Sequence, residues 1–495
     1  MTRIVYFALA AGLAALPAFG QGLTGQISGS IRDASGSAVP NADVTLNNVG
    51  TSQARKLKTD QAGEFVFTQL LPGNYHVAIE AQGFKKYEQK DIVLTATERV
   101  VLKTISLDLG ELTQTISVEA EAARLQTQSA ERSGLITERQ MQDVALKGRD
   151  YLGMVRLLPG VIDTRNREAP GWNNIGGISI NGNRGGTINL TLDGISSLDT
   201  GSMSGPYLAP SIDAVGEIKV LLTNYQAEYG RSSGGTINTV IKSGTREFHG
   251  GAYYFHRNEF FNANEFFRNR DGLRRPQYRF HYPGYFVGGP LRIPGLIKSR
   301  EKLFFFWSQE FLPRKYPTSL ARRTFPTAIE RNGDFSQTFD QGGSLIPIWD
   351  PLNSRTPFPG NRVPSNRIDP AGQRLLNVFP LPNTFDPART FNSVFQSTTE
   401  QPRIDNILRV DWNISNKTTF YARGIKDFEA FRGEFGFVLA SASWPQLPIN
   451  YEINSHGLVS TLIHAFSPTL VNEFTFGVNR ALQTVDPRTQ EGLDR

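Results

Sequence analysis

The sequence predicts a mainly β fold in three parts: an N-terminal β-sandwich, an α+β segment, and the first strands of a transmembrane antiparallel β-barrel. Three observations predict it. Short strand-like runs, parted by Gly, Asp and Pro turns, recur through the first hundred residues. After residue 245, segments near ten residues long set polar side chains on one face and apolar or aromatic ones on the other. Composition also breaks there: 5 of 33 Phe precede residue 245 and 28 follow it, so the two halves meet different surroundings.

The first element is a secretory signal over residues 1–20. Arg3 gives a positive start, Ile4 to Leu16 is apolar and Ala-rich, and Ala18-Phe19-Gly20 offers small residues before a cut between Gly20 and Gln21. No Cys follows it, or occurs anywhere, which excludes a lipoprotein anchor, thiol catalysis, Cys metal sites and disulfide staples. No later apolar run reaches the ~18–20 residues of a membrane helix. The net charge of +6 is concentrated in residues 245–345, with 16 Lys and Arg against 9 Asp and Glu. That block is rich in Phe and Tyr and has no compact basic helix. Basic residues along a pore or against lipid phosphates fit it, and nucleic acid is not an expected partner.

Residues 22–105 read as the sandwich. Strands are expected at Gln26–Arg32, Asp43–Asn47, Glu64–Thr68, Tyr75–Glu80, Asp91–Thr95 and Arg99–Ser106, with turns at Asp33-Ala-Ser-Gly36, Asp60-Gln-Ala-Gly63 and Leu71-Pro-Gly73. Gly29-Ser-Ile-Arg-Asp33, Val39-Pro-Asn-Ala42, Gly63-Glu-Phe65, Leu71-Pro-Gly73, Tyr75 and Gly83-Phe84 follow one another in an order that resembles the carboxypeptidase regulatory-like domain. The resemblance implies a transthyretin-like accessory domain, not a protease.

Residues 106–120 form a linker, and residues 121–244 the α+β segment. A helix is expected from Glu138 to Leu158, capped by Thr137, interrupted at Gly148 and stopped by Pro159-Gly160. Strands follow at Gly177–Ile180, Ile188–Leu192 and Val215–Leu222. Leu157-Leu-Pro-Gly-Val161, Ile178-Ser-Ile-Asn-Gly-Asn-Arg184, Leu192-Asp-Gly-Ile195, Ala227-Glu-Tyr-Gly230, Gly234-Gly-Thr-Ile-Asn238 and Lys242-Ser-Gly-Thr245 together resemble the plug domain of TonB-dependent outer-membrane receptors. The motif positions singled out are Asn181, Arg184, Asp193, Gly194, Tyr229, Gly230, Gly234 and Gly235.

Gly230-Arg-Ser-Ser-Gly234 also matches G-x-S-x-G, which in hydrolases presents a nucleophilic Ser between strand and helix. Here β-branched residues follow Ser232, and no His lies in a triad signature. A tight turn feeding a strand is the expectation, and no catalytic residue is assigned.

From residue 245 to 495 the strands alternate. Leu408, Val410, Trp412 and Ile414 interleave with Arg409, Asp411 and Asn413, and Phe474, Phe476 and Val478 with polar or small residues. Phe248–His256, Lys302–Phe311 and Thr418–Gly424 are further strands, and Phe466-Ser-Pro-Thr469 marks a hairpin. The Pro-rich stretch 313–400 is expected to be an extracellular loop. In it, Thr324-Phe-Pro-Thr327, Arg331-Asn-Gly-Asp-Phe-Ser336, Pro357-Phe-Pro-Gly-Asn-Arg362, Ser365-Asn-Arg-Ile-Asp-Pro370 and Phe379-Pro-Leu-Pro-Asn383 resemble the Oar-like TonB-dependent receptors, which pair a regulatory-like domain with plug and barrel.

That resemblance implies an outer-membrane receptor that imports a small ligand, such as a siderophore, oligosaccharide or peptide, with a periplasmic sandwich, a TonB-type energy-coupling partner and no cofactor. Thr115, Ile116, Ser117, Val118 and Glu119, within Gln114–Ala120, are the candidate coupling segment, because β-branched residues suit strand addition. A last strand of the sandwich is the competing reading of those residues. A surface adhesion protein gripping carbohydrate or protein is the second functional reading, and a serine hydrolase the third. Seven to nine barrel strands fall short of the 22 of a large transporter, so the chain is expected to be part of a longer product.

Overall fold

A computed structural model describes residues 22–111, 115–119, 129–165, 167, 170–171, 175–199, 201, 205–270, 272–295, 297, 299–353, 356–435 and 448–488. The expected cleavage site, Gly20 and Gln21, lies outside the described residues.

The first strands are β1 (Gly25–Asp33), β2 (Asp43–Asn48), β3 (Ala54–Lys58), β4 (Glu64–Leu70), β5 (Gly73–Glu80), β6 (Lys86–Leu94), β7 (Arg99–Val101), β8 (Ile105–Leu107) and β9 (Thr115–Glu119). They make two sheets, one of β4-β1-β7 with β8 also on β1, the other in the order β3-β2-β5-β6-β9. Alternation builds the core: Ile27, Ile31, Val44, Leu46, Phe65, Phe67, Val77 and Ile79 point inward and are buried. Tyr75 belongs to that core, and its hydroxyl donates to the Leu71 carbonyl at 2.6 Å. Sequence reading missed β3, whose Arg-Lys-Leu-Lys run carries few apolar residues, and fused β7 with β8.

The second unit holds β10 (Arg132–Thr137), α1 (Glu138–Asp143), β11 (Val161–Asp163), β12 (Ile178–Ile180), β13 (Asn189–Leu192), β14 (Ile195–Ser196), β15 (Val215–Thr223) and β16 (Thr236–Ile241). Its main sheet runs β10-β15-β16-β13-β14. The helix is far shorter than expected. Thr137 does cap it, with Gln140 completing a capping box, but Val144 is extended and Gly148 takes a left-handed φ of 76°. The rest of the expected helix is two short 3₁₀ turns, Lys147–Arg149 and Tyr151–Leu157. The second turn buries Tyr151, Leu152, Met154 and Val155 under the sheet, so tertiary packing outweighs helical periodicity.

The third unit is a sheet of nine strands: β17 (His249–Asn258), β18 (Arg279–Pro290), β19 (Leu303–Leu312), β20 (Arg314–Pro317), β23 (Thr398–Glu400), β24 (Arg403–Ser415), β25 (Thr418–Gly433), β26 (Ile449–Ser467) and β27 (Leu470–Pro487). β21 (Ala321–Arg323) pairs with β22 (Ser393–Phe395) in the long connection between β19 and β24, which also holds α3 (Pro370–Val378); α2 (Phe266–Arg270) lies in the connection between β17 and β18. The long strands run β17-β18-β19-β24-β25-β26-β27, each antiparallel to the next. Short turns follow β24 and β26, at Asn416-Lys417 and Pro468-Thr469, whereas the longer connections after β17, β19 and β25 leave from the opposite end of the sheet. Outer-membrane barrels show this inequality, with short periplasmic turns and long extracellular loops.

The faces of this sheet reverse the order of a soluble protein. On β24, Arg403, Asp405, Arg409, Asp411 and Asn413 are buried, while Leu408 is 50% exposed. Phe474, Phe476 and Val478 of β27 are likewise exposed. Apolar side chains turned outward suit lipid, and the polar face turns inward onto the second unit.

Candidate functional site

The inner face of the barrel sheet meets the second unit through buried charges. Asp193 follows β13 in a left-handed turn, with φ of 49° at Asp193 and 79° at Gly194. One carboxylate oxygen accepts from the Ile241 N–H at 2.9 Å, the other from Arg423 Nε of β25 at 2.8 Å. Arg423 also donates to the Leu192 carbonyl at 3.1 Å, and neither side chain of the pair is solvent-exposed. Beside it, Arg409 of β24 donates to the Ile241 carbonyl at 2.8 Å, pairs with Asp411 at 2.8 Å and lies over the Tyr421 ring. One acidic turn of the second unit thus sits among two guanidinium groups of the wall.

A second group lies further along the strands. Arg403 grips Asp427 with two hydrogen bonds of 2.8 and 2.7 Å and donates to the Ala209 carbonyl. Asp427 accepts from the Ala209 N–H at 3.1 Å, and Asp405 from the Ser211 N–H at 2.9 Å. The wall therefore holds the 209–211 backbone by donor and acceptor alike. A third group joins Arg149 to Asp213 and Glu310, with Tyr253 donating to Glu310 at 2.9 Å. Higher up, Glu429 accepts from Arg314 at 2.8 Å and Gln401 at 2.6 Å. Between these groups, Leu192, Leu208, Ala214 and Ile241 pack on Phe306, Ile407 and Ile425. Burying so many charged side chains is tolerable because each makes at least one hydrogen bond, and most are ion-paired; one with neither would cost several kcal/mol.

Of the motif positions, Asp193 alone enters this network. Asn181, left-handed at φ 52°, donates to the Leu222 carbonyl at 3.1 Å and fixes a turn. Arg184 is exposed, and its carbonyl accepts from Thr187. Tyr229 is buried, edge-on to Tyr225, and burial pushes its phenol well above the usual range. Gly230 faces open space. A Cβ at Gly234 would lie 2.5 Å from Thr187 Oγ1, and one at Gly235 2.6 Å from the Leu221 carbonyl, so both allow close approach. Ser232 donates to the Gly235 carbonyl at 2.9 Å, and β16 rather than a helix follows it. Thr115–Glu119 forms β9, parallel to Lys86–Lys90 at the edge of the sandwich sheet.

Sequence reading missed Arg403, Asp405, Arg423 and Asp427 as contact residues. The alternation around Arg409 carried the signal on β24. On β25 it is blurred, because outward Lys426 sits between inward Ile425 and Asp427.

The sandwich touches both other units. Asn413 donates to the Thr51 carbonyl at 3.3 Å, and Thr24 to Glu473 at 2.6 Å. Ala96 N–H donates to Glu217 of β15 at 2.6 Å, and Arg99 to Gln226 at 2.6 Å. Burial pushes the Glu217 carboxyl up to about 7, against the pull of the Ala96 N–H and Lys219. Among the described residues, no group of three or more His, Asp or Glu could hold a metal ion.

Residues 240–495, just over half of the chain, match the model of the outer membrane beta barrel domain. The chain belongs to that family. Residues 26–108 match the carboxypeptidase regulatory-like domain. The outer membrane barrel chain is also 30% identical over 250 residues to the TonB-dependent transporter Oar of Myxococcus xanthus, covering 48% of this chain and 22% of that protein. It thus spans about a fifth of that relative. Among solved structures, the outer membrane transporter YddB of Escherichia coli aligns over 70% of this chain and 38% of its own, at 12% identity and a TM-score of 0.42. The ferric enterobactin receptor of Pseudomonas aeruginosa aligns over 70% and 45%, at 14% identity and a TM-score of 0.33. These relatives are transporters and receptors rather than enzymes, and an outer membrane location follows from the family.

Proposed function

We propose that this chain supplies the regulatory-like domain, the plug and the first wall strands of a TonB-dependent outer-membrane transporter that carries a small ligand into the periplasm. The observation that supports it best is the second unit seated on the polar inner face of the barrel sheet, with Asp193 paired to Arg423. A plug must close the pore yet leave it. Ion pairs and backbone hydrogen bonds suit that, because entering water can replace them one by one, which it cannot do for a continuous apolar seal. The ligand is a siderophore, oligosaccharide or peptide arriving from the long-loop side. Residues 1–20 direct export. The sandwich lies in the periplasm, a reading supported by its Thr51 contact with Asn413, close to the short turn after β24.

Energy enters through residues 115–119. A TonB-type partner pairs with them as an added strand and pulls, in competition with β6. Because backbone groups carry such pairing, proline at position 118 removes a donor where side-chain changes do not. The test is uptake of labelled ferric siderophore, oligosaccharide and peptide by cells with and without the full-length gene, each with and without a protonophore. Gene-dependent, protonophore-sensitive uptake of one of them is expected, lost in Val118→Pro while surface binding persists. Binding without any uptake would favour the adhesion reading.

A further inference from the structure

The outer face of the barrel sheet carries a row of polar side chains that the transport reading does not use. Cross-strand register sets Gln309, Asn406, Lys426, His456 and Arg480 side by side across β19, β24, β25, β26 and β27. Lys426, His456 and Arg480 are exposed, and among the described residues none of them has an ion-pair partner. The next row toward the short turns is apolar: Trp307, Leu408, Gly424, Leu458 and Val478. Gly424 leaves a gap there, since a Cβ built on it meets nothing within 4 Å. The result is an outward groove floored by Gly424, walled by Leu408 and Leu458, and topped by the basic side chains.

Its height matters. From Thr418 to Lys426 the strand rises eight steps, roughly 20 Å at about 3.3 Å per residue and a tilt near 40°. On β24 to β27 the outward residues below the row carry no Lys, Arg, Asp or Glu: Trp412, Val410, Phe420, Ala422, Phe474 and Phe476 are typical. The row is therefore the first cationic level above an apolar band of roughly 20 Å, close to the ~25 Å apolar band of outer-membrane barrels, and so at the level of the lipid headgroups of the long-loop leaflet. The first outward acid on these strands, Glu452, is two rows further on.

We propose that this groove binds a phosphate-bearing lipid of that leaflet, its phosphate held by Lys426, His456 and Arg480 and an acyl chain laid over Gly424. Charge complementarity selects the headgroup: three basic groups lie on adjacent strands, about 5 Å apart across the sheet, with no acid among them. The apolar groove selects a lipid over a free anion.

The experiment is native mass spectrometry of the full-length protein in detergent, titrated with phosphatidylglycerol, with the uncharged diacylglycerol of the same chains, and with inorganic phosphate. Saturable phosphatidylglycerol binding is expected, with little diacylglycerol bound and no competition by millimolar phosphate. Replacing Lys426, His456 and Arg480 together by Gln should weaken it roughly twenty-five-fold, since each permanent cation at a membrane surface is worth about five-fold toward an anionic lipid. Gly424→Leu should weaken it with every charge retained. All four side chains face outward, so barrel integrity should persist, checked by heat-modifiable gel mobility. Equal binding of the two lipids by the wild-type protein overturns the proposal, as does unchanged binding by the triple variant. Displacement of the lipid by inorganic phosphate overturns the lipid as the source.

Discussion

Replacing Arg423 by Gln tests whether charge pairs hold the second unit in the barrel sheet. Arg423 and Asp193 are both fully buried, 2.8 Å apart. Removing one partner of such a pair costs about 3–5 kcal/mol, because the remaining charge has lost its solvent and its counter-ion. The Gln amide can still donate one neutral hydrogen bond to Asp193, recovering about 1 kcal/mol. The Ile241 N–H stays on the other oxygen. The net expectation is a loss of about 2–4 kcal/mol, or roughly 1–2 M in urea midpoint at a slope near 2 kcal/mol per M. The chain has no Cys, so Ser211→Cys, buried against the wall, gives a single reporter thiol. Maleimide labelling of it during a urea titration of the full-length protein reads undocking. Asp193→Asn with Arg423→Gln removes both charges and should recover at least half of the loss, as Asn tolerates the left-handed turn. A midpoint shift below about 0.3 M for Arg423→Gln, or a double variant showing coupling below about 0.5 kcal/mol, would refute the reasoning.

Other predictions follow from the sandwich and its contacts. Burial holds the Glu217 carboxyl at about 7, above its ordinary 4.5, so the docked state binds the extra proton. That contribution is complete below pH 4.5 and is lost as pH rises through 7; proteolytic release of the sandwich should therefore quicken from pH 5.5 to 8, and Glu217→Gln should flatten the profile. Tyr75→Phe strands the Leu71 carbonyl and should cost residues 22–111, expressed alone, about 1–2 kcal/mol by chemical denaturation. Gly63 is left-handed, with φ of 73°, and a Cβ there would lie 2.4 Å from the Ile31 carbonyl, so Gly63→Val should cost at least about 2 kcal/mol in the same assay.

The sequence by itself determined the kinds of element and their order. Strand period, turn residues and outward aromatics are local signals, and the alternation of Arg409, Asp411 and Asn413 with apolar residues on β24 marks one face whatever it meets. The signals failed where the neighbour decides. Glu138–Leu158 has helical spacing, yet only Glu138–Asp143 is α-helix, because Gly148 turns left and the following residues bury themselves under the sheet. Asp193 was legible as a turn residue, but its partner Arg423 lies 230 positions away, a separation no motif spans. The same holds for Asp405 with the Ser211 backbone and Arg403 with Ala209. Tertiary structure alone decided which inward charges meet which loops, and it set Lys426, His456 and Arg480 in one row. Register is fixed by the pairing of whole strands, and a shift of one residue would send every one of these side chains to the other face.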